Sequence, residues 1–276
     1  MREITIAGRR IADDTSAFIV AEIGHNHQGN VQRCKDLFRA AAECGADAVK
    51  IQKRDNKTLF TKELYDSPYN SEHAFGATYG AHREALEFGW DEYVELKQYA
   101  EDLGLVFFAT AFDIPSAEFL YRLGVPAIKV ASGCLTDLPL LKFLSDHKTP
   151  VIISTGGGLL KDVQRAYATT AKAPYAFLQC TSAYPVKAEE MNLRVIETYR
   201  GKFPTTVIGL SDHQNGIAMA PVAYALGARI IEKHFTLDRT WKGSDHAFSL
   251  EPVGLRKLVR DLRRVEVALG DGLRRR

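Results

Sequence analysis

Hydrophobic residues along the chain fall into two alternating patterns. Eight short runs are almost continuously apolar and rich in Val, Ile and Phe: FIVAEIG (18–24), DAVKIQ (47–52), LVFFATAF (105–112), AIKVAS (127–132), PVIIST (150–155), YAFLQCT (175–181), TVIGLS (206–211) and RIIEKHF (229–235). Runs without polar alternation suit strands covered on both faces, as in a parallel sheet wrapped by helices. Between them lie longer stretches with apolar positions three and four residues apart. In VQRCKDLFRAAAECG, after Asn30, the residues Val31, Cys34, Leu37, Phe38 and Ala41 share one face and Gly45 ends the pattern; WDEYVELKQYAEDLG repeats it. PSAEFLYRLG, LPLLKFLSDH, LKDVQRAYATTA, AEEMNLRVIETYR, GIAMAPVAYALG and PVGLRKLVRDLRRVEVALG bring the helices to eight. Glycines that end helices stand just before strands in GAD, LGL, LGVPA and LGAR. Repeated strand and helix in this number predict an α/β fold, the TIM (β/α)8 barrel.

Two segments stand outside the repeat. EITIAGRRIADD predicts an N-terminal β-hairpin, with AGR at its turn, placed to plug the N-terminal end of the barrel. Residues 53–89 separate the second strand from its helix, are too long for an ordinary βα connection and are rich in aromatics and Gly. They predict an insertion on the catalytic face.

A length of 276 residues, 46% hydrophobic and 25% charged, suits a globular chain, and barrels of this kind run to roughly 250 residues. One domain over residues 1–276 is expected. Lys and Arg total 36 against 34 for Asp and Glu, so no global field recruits nucleic acid or an anionic membrane. The terminal arginines of GDGLRRR are too few to hold a duplex, and no run approaches the about 18 apolar residues of a membrane span. The N-terminal MREITIAGRR carries charges where a signal peptide needs its apolar stretch, and Cys34, Cys44, Cys134 and Cys180 show no C-x-x-C spacing. Reduced thiols in a cytoplasm are expected.

Barrel active sites lie at the C-terminal ends of the strands. There the sequence offers Glu22, His25, Asn26 and His27; Lys50, Gln52 and Lys53; Thr110 and Asp113; Lys129 and Ser132; Ser154 and Thr155; Gln179, Thr181, Ser182 and Tyr184; Ser211, Asp212 and His213; and Glu232 and His234. Lys50 and Lys129 are embedded in apolar runs, where an ammonium needs a partner. That partner is either a carboxylate, Glu22 or Glu232, or a bound dianion, with Ser132, Ser154, Thr155 and the backbone of Gly156, Gly157 and Gly158 as further donors. His213 and His234 end neighbouring strands, and two neutral imidazoles with oxygen ligands suit Mn²⁺, Fe²⁺, Co²⁺ or Zn²⁺. Glu22 needs Lys50 or a metal to offset its burial, and Asp245 in WKGSDHAFSL is a second carboxylate near the mouth.

The motifs AEIGHNHQG (21–29), GADAVKIQ (45–52), IKVASG (128–133), ISTGG (153–157), QCTSAYP (179–185), IGLSDH (208–213), EKHFT (232–236) and SDHAFSLEP (244–252) resemble, in order, the barrel domain of the sialic acid synthases. That family condenses phosphoenolpyruvate with N-acetylmannosamine or related sugars. The resemblance implies a divalent metal, Mn²⁺ foremost with Mg²⁺ or Co²⁺ as alternatives, on His213 and His234. It implies phosphoenolpyruvate contacts at Lys50, Gln52, Thr110, Lys129, Ser132, Ser154 and Ser211, catalysis and sugar binding at Glu22, and sugar contacts at Tyr184 and Asp245. Many members carry Glu where this chain has Cys134, and Asn where it has Ser182, a neighbour of the phosphate site. The family's usual C-terminal antifreeze-like domain, which reaches across a homodimer with an arginine, is expected to be absent, since the sequence ends after the last barrel helix. Two other readings share parts of this pattern: a 3-deoxy-octulosonate or heptulosonate phosphate synthase, which needs additional basic residues for a sugar phosphate, and a non-catalytic binding barrel.

Overall fold

A computed structural model describes residues 2–170 and 172–273; the arginine triplet of the tail, residues 274–276, lies outside them. The chain opens with β1 (Glu3–Ile6) and β2 (Arg9–Ala12), paired antiparallel through a turn at Ala7 and Gly8, both with positive φ as a tight hairpin requires. Then follow β3 (Phe18–Gly24), α1 (Val31–Glu43), β4 (Ala48–Lys53), three short helices α2 (Asn56–Leu59), α3 (Lys62–Asp66) and α4 (Tyr79–Glu84), and α5 (Trp90–Asp102). The remainder alternates: β5 (Val106–Ala111), α6 (Ile114–Leu123), β6 (Ile128–Val130), α7 (Leu138–Ser145), β7 (Val151–Ser154), α8 (Leu160–Thr169), β8 (Tyr175–Cys180), α9 (Val195–Lys202), β9 (Val207–Asp212), α10 (Met219–Ala225), β10 (Ile230–His234) and α11 (Pro252–Leu269).

Strands β3 to β10 close into a parallel barrel in sequence order, β10 pairing with β3. The strands are buried almost throughout, as the apolar runs require. Helix faces with Leu37, Phe38, Tyr93, Leu96, Leu120 and Leu258 cover the barrel in one continuous core. The hairpin contributes Ile4, Ile6 and Ile11 to that core. Charge fastens it to the end of the barrel where strands begin: Arg9 pairs with Asp47, which also accepts from the Ile19 amide at 2.7 Å and pairs with Arg263 at 3.0 Å, while Asp13 pairs with Arg200 at 2.6 Å. The barrel is therefore closed below and open at its C-terminal mouth. Among the described residues no helix is long and apolar enough to cross a membrane.

The helical pattern AEEMNLRVIETYR is realised only in its second half. Asn192 adopts φ 43, a left-handed conformation that a helix cannot continue through, so α9 starts at Val195 after a short 3-10 turn. The insertion holds α2, α3 and α4, which its irregular composition does not predict.

Gly209, in β9, stands where the barrel wall has no room for a side chain. A β-carbon there would lie 2.4 Å from the Ile230 carbonyl oxygen and 2.5 Å from Leu178. Gly209→Ala is expected to lower stability by about 1–3 kcal/mol, read as an earlier urea midpoint. Gly201 in α9 has no atom within 4 Å of its added carbon, and Gly201→Ala is expected to leave stability unchanged or raise it by up to about 1 kcal/mol. Equal midpoints for the two variants would contradict this packing.

Candidate active site

Side chains of a strand alternate between the barrel axis and the helices, and neighbours in parallel register point the same way. The register sets His234 beside Glu22 and Glu22 beside Lys50, Gln52 beside Thr110 and Thr110 beside Lys129, and Cys180 beside Ser211 and Ser211 beside Glu232. Three rows of polar groups thus face one axis. Gly24 ends β3 with φ 53 at a register shift; a β-carbon there would sit 3.2 Å from Gln52 and 3.3 Å from Glu22, so glycine lets those side chains converge.

They line a cavity of about 550 Å³ at the mouth. It holds every expected site residue: Glu22, Lys50, Gln52, Thr110, Lys129, Ser132, Ser154, Ser182, Tyr184, Ser211, His213, His234 and Asp245. At its floor Lys50 Nζ lies 2.6 Å from Glu22 Oε2 and donates to Thr110 Oγ1 at 2.7 Å. Lys129 Nζ donates to Ser154 Oγ at 2.7 Å and lies 3.6 Å from Glu232, which Lys50 also approaches at 3.9 Å. Gln52 donates to the other Glu22 oxygen at 2.7 Å. Of the two partners open to the lysines, the carboxylates are in place, and the lysines still line the cavity together with five serines and a threonine. Burial pushes the Lys129 ammonium below its ordinary range, against the pull of Glu232. Burial pushes Glu232 the other way, but Lys129 and Lys50 outweigh it and hold the carboxyl below its ordinary range.

His213 and His234 stand with ring centroids 5.4 Å apart. His213 Nδ1 lies 3.0 Å from the Thr181 carbonyl, so Nδ1–H donates there and Nε2 keeps its lone pair. Burial, then the neighbouring His234, pushes His213 down to about 3, so its ring stays neutral. His234 Nδ1 is buried without a hydrogen-bond partner, 3.8 Å from Asp245 Oδ2. A neutral imidazole beside an unsatisfied one fits a two-point seat for a divalent metal. No group of three or more His, Cys, Asp or Glu is gathered for a metal among the described residues, so an ion held by this pair would need further ligands from elsewhere.

Other strand-end residues hold the scaffold. Lys53 turns to Glu87, Asp113 caps α6, Thr155 bonds the Leu178 carbonyl, Gln179 and Thr181 bond Met191 and Glu190, and Asp212 pairs with Lys233 at 2.8 Å between barrel and helices. Gly156, Gly157 and Gly158 do not line the cavity; the Gly156 amide donates to Ser132 Oγ at 2.9 Å, which orients that hydroxyl rather than cradling an anion directly. His27 stacks on Phe88, and His246 meets Thr236 at 2.7 Å. Asn26 donates to the Phe235 carbonyl at 2.9 Å and to Ser249 at 3.0 Å, and Ser249 donates to the Asp245 carbonyl at 2.6 Å. With Arg33 4.6 Å over Trp241 and the Gly243 amide 3.2 Å from His73, the loop carrying Asp245 is tied to the loop after β3 and to the insertion.

The insertion does lie on the cavity face. It and its junction with β4 bring Arg83 and Arg54 to the lining, where His25 and Cys180 join them. Of these four only His25 is among the strand-end residues that the sequence offers. The insertion has no period to read, and Cys180 shares the apolar pattern of β8.

Fold and site together define a barrel built to act on a small charged ligand at its strand ends. The chain belongs to the NeuB family, whose profile matches residues 37–274. It is 45% identical to N-acetylneuraminate-9-phosphate synthase of Homo sapiens over 95% of this chain and 74% of that protein. It is 38% identical to N,N'-diacetyllegionaminic acid synthase of Legionella pneumophila over 93% and 74%. The structure of N-acetylneuraminic acid synthetase from Leptospira borgpetersenii, in complex with citrate, superimposes with a TM-score of 0.86 at 35% identity over 100% of this chain and 92% of that one. A 3-deoxy-D-arabino-heptulosonate 7-phosphate synthase from Thermotoga maritima, 14% identical with a TM-score of 0.71, shares the fold.

Burial raises the Cys180 thiol above its ordinary pKa, against hydrogen bonds from Ser132 and Ser211. Since the thiolate is the reactive form, alkylation of Cys180 by iodoacetamide at pH 7.5 is expected to be slower than that of an exposed cysteine and to accelerate as pH rises past 9. Labelling as fast as a free thiol at pH 7.5, followed by peptide mass spectrometry, would contradict this environment.

Proposed function

We propose that this chain joins phosphoenolpyruvate to an open-chain N-acylated aldose of the N-acetylmannosamine type, giving a nonulosonic acid and inorganic phosphate. The observation that carries the reading is the meeting, in one cavity, of two buried lysines flanked by hydroxyls with a neutral histidine pair and a carboxylate. The names of its NeuB relatives agree with it.

In this reading Lys50, Lys129, Thr110, Ser132, Ser154, Ser211 and Ser182 bind phosphoenolpyruvate, whose negative charge draws the ammonium groups partly away from Glu22 and Glu232. Tyr184 and Asp245 hold the sugar against that floor. Carbon three of phosphoenolpyruvate attacks the aldehyde carbon, and the carbonyl electron pair moves to oxygen, which takes a proton. Water adds to the cationic carbon two and loses a proton, for which Glu22 is the base, while Gln52 holds the other oxygen of that carboxylate in place. Collapse of the tetrahedral centre to a ketone breaks the bond from carbon two to the phosphate oxygen. The lysines steady the leaving charge. A divalent metal, Mn²⁺ with Mg²⁺ or Co²⁺ as alternatives, bound to His213 and His234 supplies polarisation of the aldehyde. We place the chain in the cytoplasm, where its four buried, unpaired cysteines suit a reducing medium, and as a homodimer, on the family resemblance.

Incubation with phosphoenolpyruvate, N-acylated hexosamines and Mn²⁺ is expected to release phosphate in step with a 2-keto acid product. Absence of turnover with every sugar would refute the reading. Lys129→Met is expected to weaken phosphoenolpyruvate binding roughly tenfold or more in calorimetry, the loss of a charge-assisted contact of about 1.5–3 kcal/mol. Unchanged affinity would return Lys129 to a purely structural role. Chelation is expected to abolish turnover and Mn²⁺ to restore it, and His213→Ala is expected to lose Mn²⁺ affinity in a titration. Full turnover of metal-stripped protein would remove the metal from the mechanism.

A further inference from the structure

Charge is unevenly distributed round the cavity. At the floor, Lys50 and Lys129 are matched by Glu22 and Glu232. At the side formed by the insertion two guanidinium groups face the carboxylates of Glu87 and Asp245, and of these only Glu87, at 4.0 Å from Arg54, comes within ion-pair range. Arg54 is 8% exposed; its guanidinium lies 3.6 Å over the Phe112 ring, donates to Gln52 Oε1 at 2.7 Å and to His25 Nε2 at 3.0 Å, and has Glu87 no nearer than 4.0 Å. Glu87 is held closer by Lys53, at 3.2 Å. Arg83, on α4, is half-buried, donates to the Tyr79 hydroxyl at 2.8 Å and forms no ion pair with a described residue. Its Nε is buried without a hydrogen-bond partner. Burial, and next the charge of Arg83, pushes Arg54 down to about 10, so the two guanidinium groups sense one another.

Two guanidiniums in a partly dry wall, with neither carboxylate in a close hydrogen-bonded pair with them, are a costly arrangement unless a ligand supplies the anion. That anion is not the one on the lysines. Arg54 reaches Lys50 only through Gln52 and Glu22, each bonded to the next at 2.7, 2.7 and 2.6 Å, so a second negative group is called for on the opposite side of Glu22. Hydroxyl and N-acyl groups are neutral and leave the surplus charge unmet. A phosphoryl group meets it, because guanidinium forks match its oxygens.

We propose that Arg54 and Arg83 seat a phosphoryl group carried by the sugar, so that the chain takes a phosphorylated N-acylhexosamine and makes a nonulosonic acid phosphate. The proposal rests on the condensation reading above. With the aldehyde at the histidine pair, the phosphoryl group belongs at the far end of the open chain, on carbon six. The relatives' names do not choose between the alternatives, since they include both a 9-phosphate synthase and a diacetyllegionaminic acid synthase.

The test compares kcat/KM for N-acetylmannosamine 6-phosphate and N-acetylmannosamine, with phosphoenolpyruvate and Mn²⁺, in the full chain and in Arg83→Gln and Arg83→Lys. The full chain is expected to prefer the phosphorylated sugar by about a hundredfold, as two charge-assisted contacts supply. Arg83→Gln is expected to shrink that ratio about tenfold, chiefly through KM, and Arg83→Lys to recover part of it. A full chain that prefers the unphosphorylated sugar, or treats both alike, would overturn the phosphoryl seat while leaving the condensation reading standing, and this arm needs no variant to fold. An Arg83→Gln protein of normal circular dichroism whose ratio is unchanged would likewise overturn it. Turnover of neither sugar would bring down the condensation reading, and the seat with it.

Discussion

The structure turns on four charges buried together on the barrel axis. Lys50, Lys129, Glu22 and Glu232 are each 5% exposed or less, and each is tolerable only because the others are there. Breaking such a pair by removing one member strands a charge at a cost of about 3–5 kcal/mol, comparable with much of a domain's net stability. This constraint fixes the neighbouring choices. Thr110, Ser154, Gln52 and Ser211 each hydrogen-bond one of the four, and the apolar residues are displaced to the helix-facing side of the strands and to the hairpin end. The network in which each charge depends on the others is the same one that lines the cavity at the mouth.

Much of this was legible in the sequence, for a simple reason. Parallel strands buried on both faces are apolar, so a lysine in AVKIQ or AIKVAS, or a glutamate in FIVAEIG, stands out against its run. The barrel, the hairpin and all thirteen residues of the expected site could be found that way or by resemblance, and they meet in one cavity. Legibility failed where the signal is tertiary. Nothing local says that Lys53 turns to Glu87 while Arg54, one residue on, folds over Phe112 into the site. Arg83 sits in a short helix whose place is set by packing of Tyr79, Tyr69 and His82, not by a periodic pattern. The triglycine misled for a related reason: what demands glycine at position 156 is the crowding of Ser182 and Ser132, 2.4 and 2.8 Å from an added carbon, and not the approach of an anion.

The insertion therefore changes the character of the barrel more than its size. The eight-stranded frame supplies a floor whose charges cancel, and residues 54 and 83 add guanidinium groups that the frame does not neutralise. The Thermotoga heptulosonate phosphate synthase, at 14% identity, has the same frame, and what distinguishes barrels of this shape is carried by segments at the mouth.

The hairpin closes the barrel from below, and this bears on traffic. Lys50 and Lys129 are 2% and 3% exposed at the floor, whereas Tyr184 at the rim is 55% exposed. A molecule on the lysines lies beneath one on the rim, and among the described residues the cavity opens at the mouth. On the proposed chemistry the phosphate donor has to enter before the sugar, and the inorganic phosphate stays trapped until the larger product has left. Stacking two ligands in a blind well thus imposes an order of arrival and departure that no residue at the site encodes by itself.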